Sequence, residues 1–138
     1  MRGERLPSVS SLLQYAYKKV DERDGGVCLH PRCGSSYNTD HHHCEPRSQA
    51  KDRVACVENI VTLCQAHHHG NEGPHESARW SEHWKQWQLE KYPYYMTKSE
   101  QNEMERLRLR RFIDITVIQR LDELVEKWRK WEECRIKV

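Results

Sequence analysis

The stretch CLHPRCGSSYNTDHHHCEPRSQAKDRVACVENIVTLCQAHHHGNEGPH, residues 28–75, holds eight of the nine histidines and five of the six cysteines in the chain. Thiols and imidazoles set this densely among turn residues are ligands more often than core filler, because both are borderline-soft donors that zinc prefers. Cys28 and Cys33 frame a tight turn, with Pro31 inside it and Gly34 just beyond. Cys64 and His67 sit three apart, as in a ligand pair at the start of a helix. Together the two pairs predict a tetrahedral Cys3His zinc site. The alternative is reduced, buried cysteines with no ion. Cys44, Cys56 and Cys134 have no paired spacing and are expected to act as small apolar packers.

Between the pairs, Tyr37 and Thr39 alternate as in a strand that leads into His41, His42 and His43. Asn59 opens the β-branched run Ile60, Val61, Thr62 and Leu63, which predicts the partner strand of a hairpin. His67, His68 and His69 are expected to begin the helix that follows. In a regular strand, alternation places His41 with His43 and sends His42 to the other face; a bulge or a strand end would bring His42 and His43 together.

The ordered motifs RDGGVC, HHHCEPRS, ENIVTLC and HHHGNEGPH resemble the HNH endonuclease family, over roughly residues 21–76. The resemblance implies a small α+β protein with a ββα-metal core on a zinc knuckle. Carried over residue by residue, it implies His43 as general base and His42 and His68 as ligands of a catalytic divalent ion, Mg²⁺, Mn²⁺ or Ni²⁺. It places the family's asparagine on Asn59 and its zinc ligands on Cys28, Cys33, Cys64 and His67. Two departures stand out. His67 occupies a zinc-ligand position where the family usually has cysteine, and both histidine motifs lie in HHH triplets that blur the register by one.

The inventory suits phosphodiester hydrolysis, which needs an activated water, a cation on the phosphate and help for the leaving oxygen. His43 has a near-neutral reference pKa suited to a base. Asn59 is expected to brace the hairpin and orient His43. Arg47 is a candidate phosphate contact, since a guanidinium matches phosphate oxygens bidentately; a solvated loop arginine is the competing reading. His41, His69 and the loop residue His75 are expected in solvent, with an additional metal ligand or a substrate contact as the alternative for His75.

A chain of 138 residues, 36% hydrophobic and 32% charged, fits one compact domain with a modest core that zinc would reinforce. Six cysteines without a signal peptide point to a reducing compartment, here the cytoplasm, or the host cytoplasm for a phage protein. No apolar run approaches a membrane span. The net charge of +2 says little about nucleic acid. Arginine is clustered, however: Arg106, Arg108, Arg110 and Arg111 fall within six residues, and Arg2, Arg5, Lys18 and Lys19 make the first twenty residues basic. Such patches can track phosphates or simply form a solvated face.

The flanks divide the chain into 1–20, 21–76, 77–95 and 96–138. The first is read as a helix from Ser8, entered through Pro7 and a serine cap, with Val9, Leu12, Leu13, Ala16 and Val20 on one side. The third is a helix carrying Trp80, Trp84 and Trp87 as a packing stripe, stopped by Pro93. In the fourth, Thr97 and Glu100 predict a capping box, whereas Leu107, Leu109, Ile113, Ile115 and Val117 alternate as in a strand. From Thr116 the stripe Val117, Leu121, Leu124, Trp128 and Trp131 predicts a helix that docks on the Trp80 helix or on a second copy of the chain.

Two function classes follow. The leading one is a metal-dependent endonuclease acting on DNA, expected to be double-stranded. Small free-standing HNH proteins resemble phage nucleases linked to genome packaging, so a packaging partner or a homodimer through the C-terminal helix belongs to that reading. The other is a noncatalytic zinc-stabilised DNA-binding module. Hydrolysis of RNA stays open, since the site residues address phosphate rather than sugar.

Overall fold

A computed structural model describes residues 8–112 and 114–138. Arg2, Arg5, Pro7 and Ile113 lie outside the described residues. The first helix, α1, spans Val9–Asp24: the Ser8 side chain accepts from the Ser11 N–H at its start, and Gly25 closes it at φ 72°, a left-handed cap that glycine adopts without strain. The buried side of α1 carries Ala16 and Val20, which pack on Val57 and Ile60. Val9, by contrast, is exposed.

Two strands, β1 (Thr39–His43) and β2 (Ile60–Cys64), pair antiparallel in regular register, from Thr39 opposite Cys64 to His43 opposite Ile60. The register contains no bulge, so the alternation of the histidines stands. Strand β1 begins at Thr39 and takes in all three histidines, leaving Tyr37 exposed before it. Every residue of β2 is buried. It lies between α1, whose Asp24 carboxylate accepts from the Thr62 N–H at 3.1 Å, and the loop before β1, whose Leu29 N–H donates to the Thr62 carbonyl at 3.0 Å.

A five-residue helix, α2 (Gln65–His69), follows at once with Cys64 as its N-cap residue. The histidine triplet ends this helix instead of beginning it, and the Gly70 N–H closes the turn onto the Ala66 carbonyl at 3.0 Å. The chain is therefore α+β, with a hairpin leading directly into a short helix.

Three helices complete it: α3 (Ala78–Lys91), α4 (Lys98–Arg108) and α5 (Ile115–Cys134). Trp84 of α3 is buried against Cys28, Cys44, Val61 and Leu63. Thr97 and Glu100 form the reciprocal capping box of α4. The alternating segment from Leu107 is not a strand: α4 runs to Arg108 and α5 starts at Ile115, with Leu109 and Phe112 exposed between them. Alternation alone does not make a strand where no neighbouring edge supplies hydrogen bonds.

Helix α5 packs on α4 and on the Tyr92–Met96 joint, burying Leu124 and Trp131 with Tyr95, Met96 and Met104, and not on the Trp80 helix. Trp131 lies between two guanidiniums, Arg53 and Arg135, each 4.8 Å from its ring. Cys44 and Cys56 are buried packers, but Cys134 is exposed at the helix end. No described helix is long and apolar enough to cross a membrane.

Candidate functional site

The two cysteine pairs meet. Cys28, Cys33, Cys64 and His67 each offer a ligand atom within 4.8 Å of the others, a group able to hold a metal ion. The turn that presents the first pair requires left-handed backbone at Arg32 and Gly34 (φ 66° and 67°) and is closed by the Gly34 N–H on the Cys28 carbonyl at 3.2 Å. The second pair straddles the β2–α2 junction. Cys33 Sγ lies 3.9 Å from Cys64 Sγ, and His67 Nδ1 lies 3.7 Å from Cys28 Sγ and 3.3 Å from Cys64 Sγ. Four ligands on a tetrahedral zinc at ~2.1–2.3 Å stand ~3.4–3.8 Å apart, so the spacing fits.

Burial pushes the Cys28 thiol up to about 11. Burial acts the same way on Cys64, but the His67 backbone N–H and the Cys28 and Cys33 thiols outweigh it and hold Cys64 below the usual thiol value. The outer nitrogen of His67 faces the Glu72 carboxylate at 3.7 Å, and the His30 ring stacks on the His67 ring at 3.7 Å.

A second cluster lies one residue away. His68 Nδ1 donates to Asp40 Oδ2 at 3.0 Å, which turns its Nε2 lone pair toward His42 and His75. His68 and His75 bring their Nε2 atoms to 2.9 Å of each other, and the three imidazoles form a second group able to hold a metal ion. Neighbouring ligands of an octahedral ion at ~2.1 Å lie ~3 Å apart. His42 supplies the independent sign: its Nε2 is buried and, among the described residues, has no hydrogen-bond partner. Native structures rarely leave such an atom unsatisfied, and a cation between the rings would satisfy it. Burial, together with His68 and His75, drives the His42 pKa down to about 3, so that ring is neutral and ready to ligate. Burial and His69 lower His68 as well.

The alternative reading of His75, as an additional metal ligand, fits its place beside this cluster. It stays exposed on the loop yet brings its ring beside His42 and His68, and His69, also exposed, stacks on it at 4.7 Å. A GNEGP loop carries no period, so the sequence alone favoured solvent over the metal for His75. Asp40 was missed, although period-2 alternation places residues 40 and 42 on one face of β1.

His43 points to the other face, as the regular register requires. Its Nε2–H donates to the Val54 carbonyl at 2.8 Å, which fixes the tautomer and leaves the lone pair on Nδ1. Burial lowers its pKa, partly offset by that bond, and the Arg47 charge lowers it further. His41 is not a solvated residue: it donates to Asp21 at 2.7 Å and stacks on Tyr17 at 4.1 Å. Both faces of β1 nevertheless open into one cavity of about 540 Å³, whose lining includes Tyr17, His42, His43, Arg47, His68 and His75.

Asn59 is fully buried and makes no approach to that cavity. Its Oδ1 accepts from the Glu45 N–H (2.7 Å) and from Gln88 (3.1 Å), and its Nδ2 donates to the carbonyls of Glu45 (3.1 Å) and Arg53 (3.2 Å). It thereby ties the chain leaving β1 to the turn that carries Val54. Arg47 stands exposed on this loop, donating to the Tyr17 hydroxyl at 2.9 Å.

Comparison of the chain with protein-family models, with curated proteins and with solved structures finds no match.

Proposed function

We propose that the chain is a metal-dependent endonuclease of the HNH type, with a ββα-metal core, a zinc ion on Cys28, Cys33, Cys64 and His67, and a catalytic divalent ion on His42, His68 and His75. The observation that carries the reading is the His43 ring, its Nε2–H held by Val54 so that Nδ1 is the base, lining the same cavity as the three-imidazole cluster.

His42, His68 and His75 would hold a divalent ion there, which would supply a Lewis acid for the phosphate and the departing 3′ oxygen. His43 Nδ1 takes the proton of the attacking water. His42 and His68 are neutral and would ligate through Nε2, with Asp40 orienting His68. Asn59 fixes the backbone around His43 rather than touching the reacting atoms. Arg47 contacts a substrate phosphate at the cavity mouth. A ligand set of imidazoles without a carboxylate suits Ni²⁺ better than Mg²⁺, which prefers oxygen, with Mn²⁺ between them.

A noncatalytic zinc-stabilised DNA-binding module is the second reading. Favouring it, Arg106, Arg108, Arg110 and Arg111 are exposed and, among the described residues, make no ion pair. One assay separates the two. Supercoiled plasmid incubated with zinc-loaded protein and added Mn²⁺, Ni²⁺ or Mg²⁺ is relaxed or linearised if the enzyme reading holds, most strongly with Mn²⁺ or Ni²⁺, and not by the His43→Ala variant. Retarded but uncut plasmid under every ion would leave the binding module.

A further inference from the structure

We propose that Tyr17, on a helix outside the histidine and cysteine motifs, is a positioning residue that holds the Arg47 guanidinium over the cavity mouth for a substrate phosphate; this rests on the nuclease reading. Tyr17 and Asp21 lie four residues apart on one face of α1 and grip β1 together. Asp21 accepts from His41, and the Tyr17 ring lies flat on the His41 ring, 4.1 Å away at 10°. That stack places the phenol beside the catalytic strand, its ring 6.3 Å from that of His43.

The Tyr17 hydroxyl accepts from Arg47 Nη2 at 2.9 Å. Among the described residues no carboxylate pairs with Arg47 and no other side chain holds it. Four of its five N–H donors are therefore left for an anion. A carboxylate at the hydroxyl position would also orient the guanidinium, but it would cancel the charge that attracts phosphate. A phenol orients it and leaves the charge intact. Holding one nitrogen also removes part of the side-chain freedom that substrate binding would otherwise have to freeze. The stack on His41 needs only an aromatic ring, whereas the bond to Arg47 needs the hydroxyl, so Tyr17→Phe separates packing from positioning.

The experiment is a double-mutant cycle read by fluorescence anisotropy of a labelled DNA duplex, in the non-cleaving His43→Ala background with Mn²⁺ present. Arg47→Ala is expected to weaken binding about tenfold and Tyr17→Phe about three- to fivefold. The combined variant should match Arg47→Ala alone within about twofold, because the hydroxyl acts only through the guanidinium. Tyr15→Phe, an exposed neighbour on α1, should change nothing. In the cleaving protein Tyr17→Phe should raise KM and leave kcat within about twofold. Unchanged binding by Tyr17→Phe, effects that multiply, or no duplex binding at all would overturn the proposal. If the unmutated protein binds but cuts no DNA with any ion, the nuclease reading fails while the cycle still decides the role of Tyr17.

Discussion

His67 and His68 are neighbours on a single turn of α2, yet they serve two unlike clusters. His67 joins three sulfurs in a group closed by the knuckle turn and the β2–α2 junction. His68 joins two further imidazoles in a group that opens into a cavity. Consecutive residues on a helix point about 100° apart, so a five-residue helix suffices to split them. The contrast matches a general division of labour: a metal that stabilises a fold is enclosed by four protein ligands, whereas a metal that does chemistry keeps positions open. On the proposed reading, two adjacent imidazoles acquire different tasks from their neighbours alone.

The largest expected effect separates the clusters by stability. Cys64→Ser should remove the sulfur-rich site and, with it, the end of β2 and the start of α2. Structural zinc sites contribute about 10–16 kcal/mol of apparent binding energy, comparable to the whole stability of a small domain. Loss of the cooperative thermal transition and of both metals is therefore expected for Cys64→Ser, by circular dichroism and metal analysis. His68→Ala should keep the transition and one metal. If Cys64→Ser melts like the unmutated protein, the division between the two clusters is wrong.

Next in size is His43→Ala, which lies in the open site but ligates nothing. Removing a general base costs about 10²–10⁴ in rate, so on the nuclease reading cleavage should fall by that factor while metal content is unchanged. A smaller and more selective effect is expected from Asp40→Asn. Loss of a carboxylate that orients a ligating histidine costs about 10–100-fold in metal affinity, and only the imidazole cluster should show it. Equal weakening at both clusters would mean that they are one cooperative unit.

The sequence revealed what depends on neighbours along the chain. Cys28/Cys33 and Cys64/His67 are short-range pairs, Ser8 and Thr97 are caps, and Ile60–Thr62 is a β-branched run, and each can be read without knowing the rest of the molecule. Contacts that depend on tertiary proximity were hidden. Tyr17 and Arg47 are 30 residues apart, and His75 reaches His68 across a loop without period. The stretch around Leu107–Val117 shows the converse failure: its alternation is real, but a strand needs a partner, and the capping box upstream already commits the chain to helix. The HHH triplets were ambiguous in the same sense. Alternation gave the right faces, and only the cavity shows that both faces of β1 open into one space.

The smallest expected effect is also the most specific to the contrast, because it counts protons. Metal binds thiolate and neutral imidazole, so loading a site releases whatever protons its ligands still hold. Burial holds the Cys28 thiol at about 11, so at pH 7.5 it keeps its proton until a metal displaces it. Burial and the neighbouring imidazoles hold His42 at about 3 and lower His68, so both are already deprotonated at that pH. Loading the sulfur-rich cluster should therefore release about one to three protons and loading the imidazole cluster almost none. Calorimetric titration in phosphate and again in Tris reads this directly, since each released proton adds the buffer's ionisation heat; His68→Ala isolates the first event. The sign for pH follows: each displaced proton costs about tenfold in affinity per unit of falling pH, so near neutral pH the affinity of the sulfur-rich cluster should fall more steeply on acidification than that of the imidazole cluster. Equal proton counts would show that the two clusters differ in donor type but not in the electrostatic setting that burial gives them.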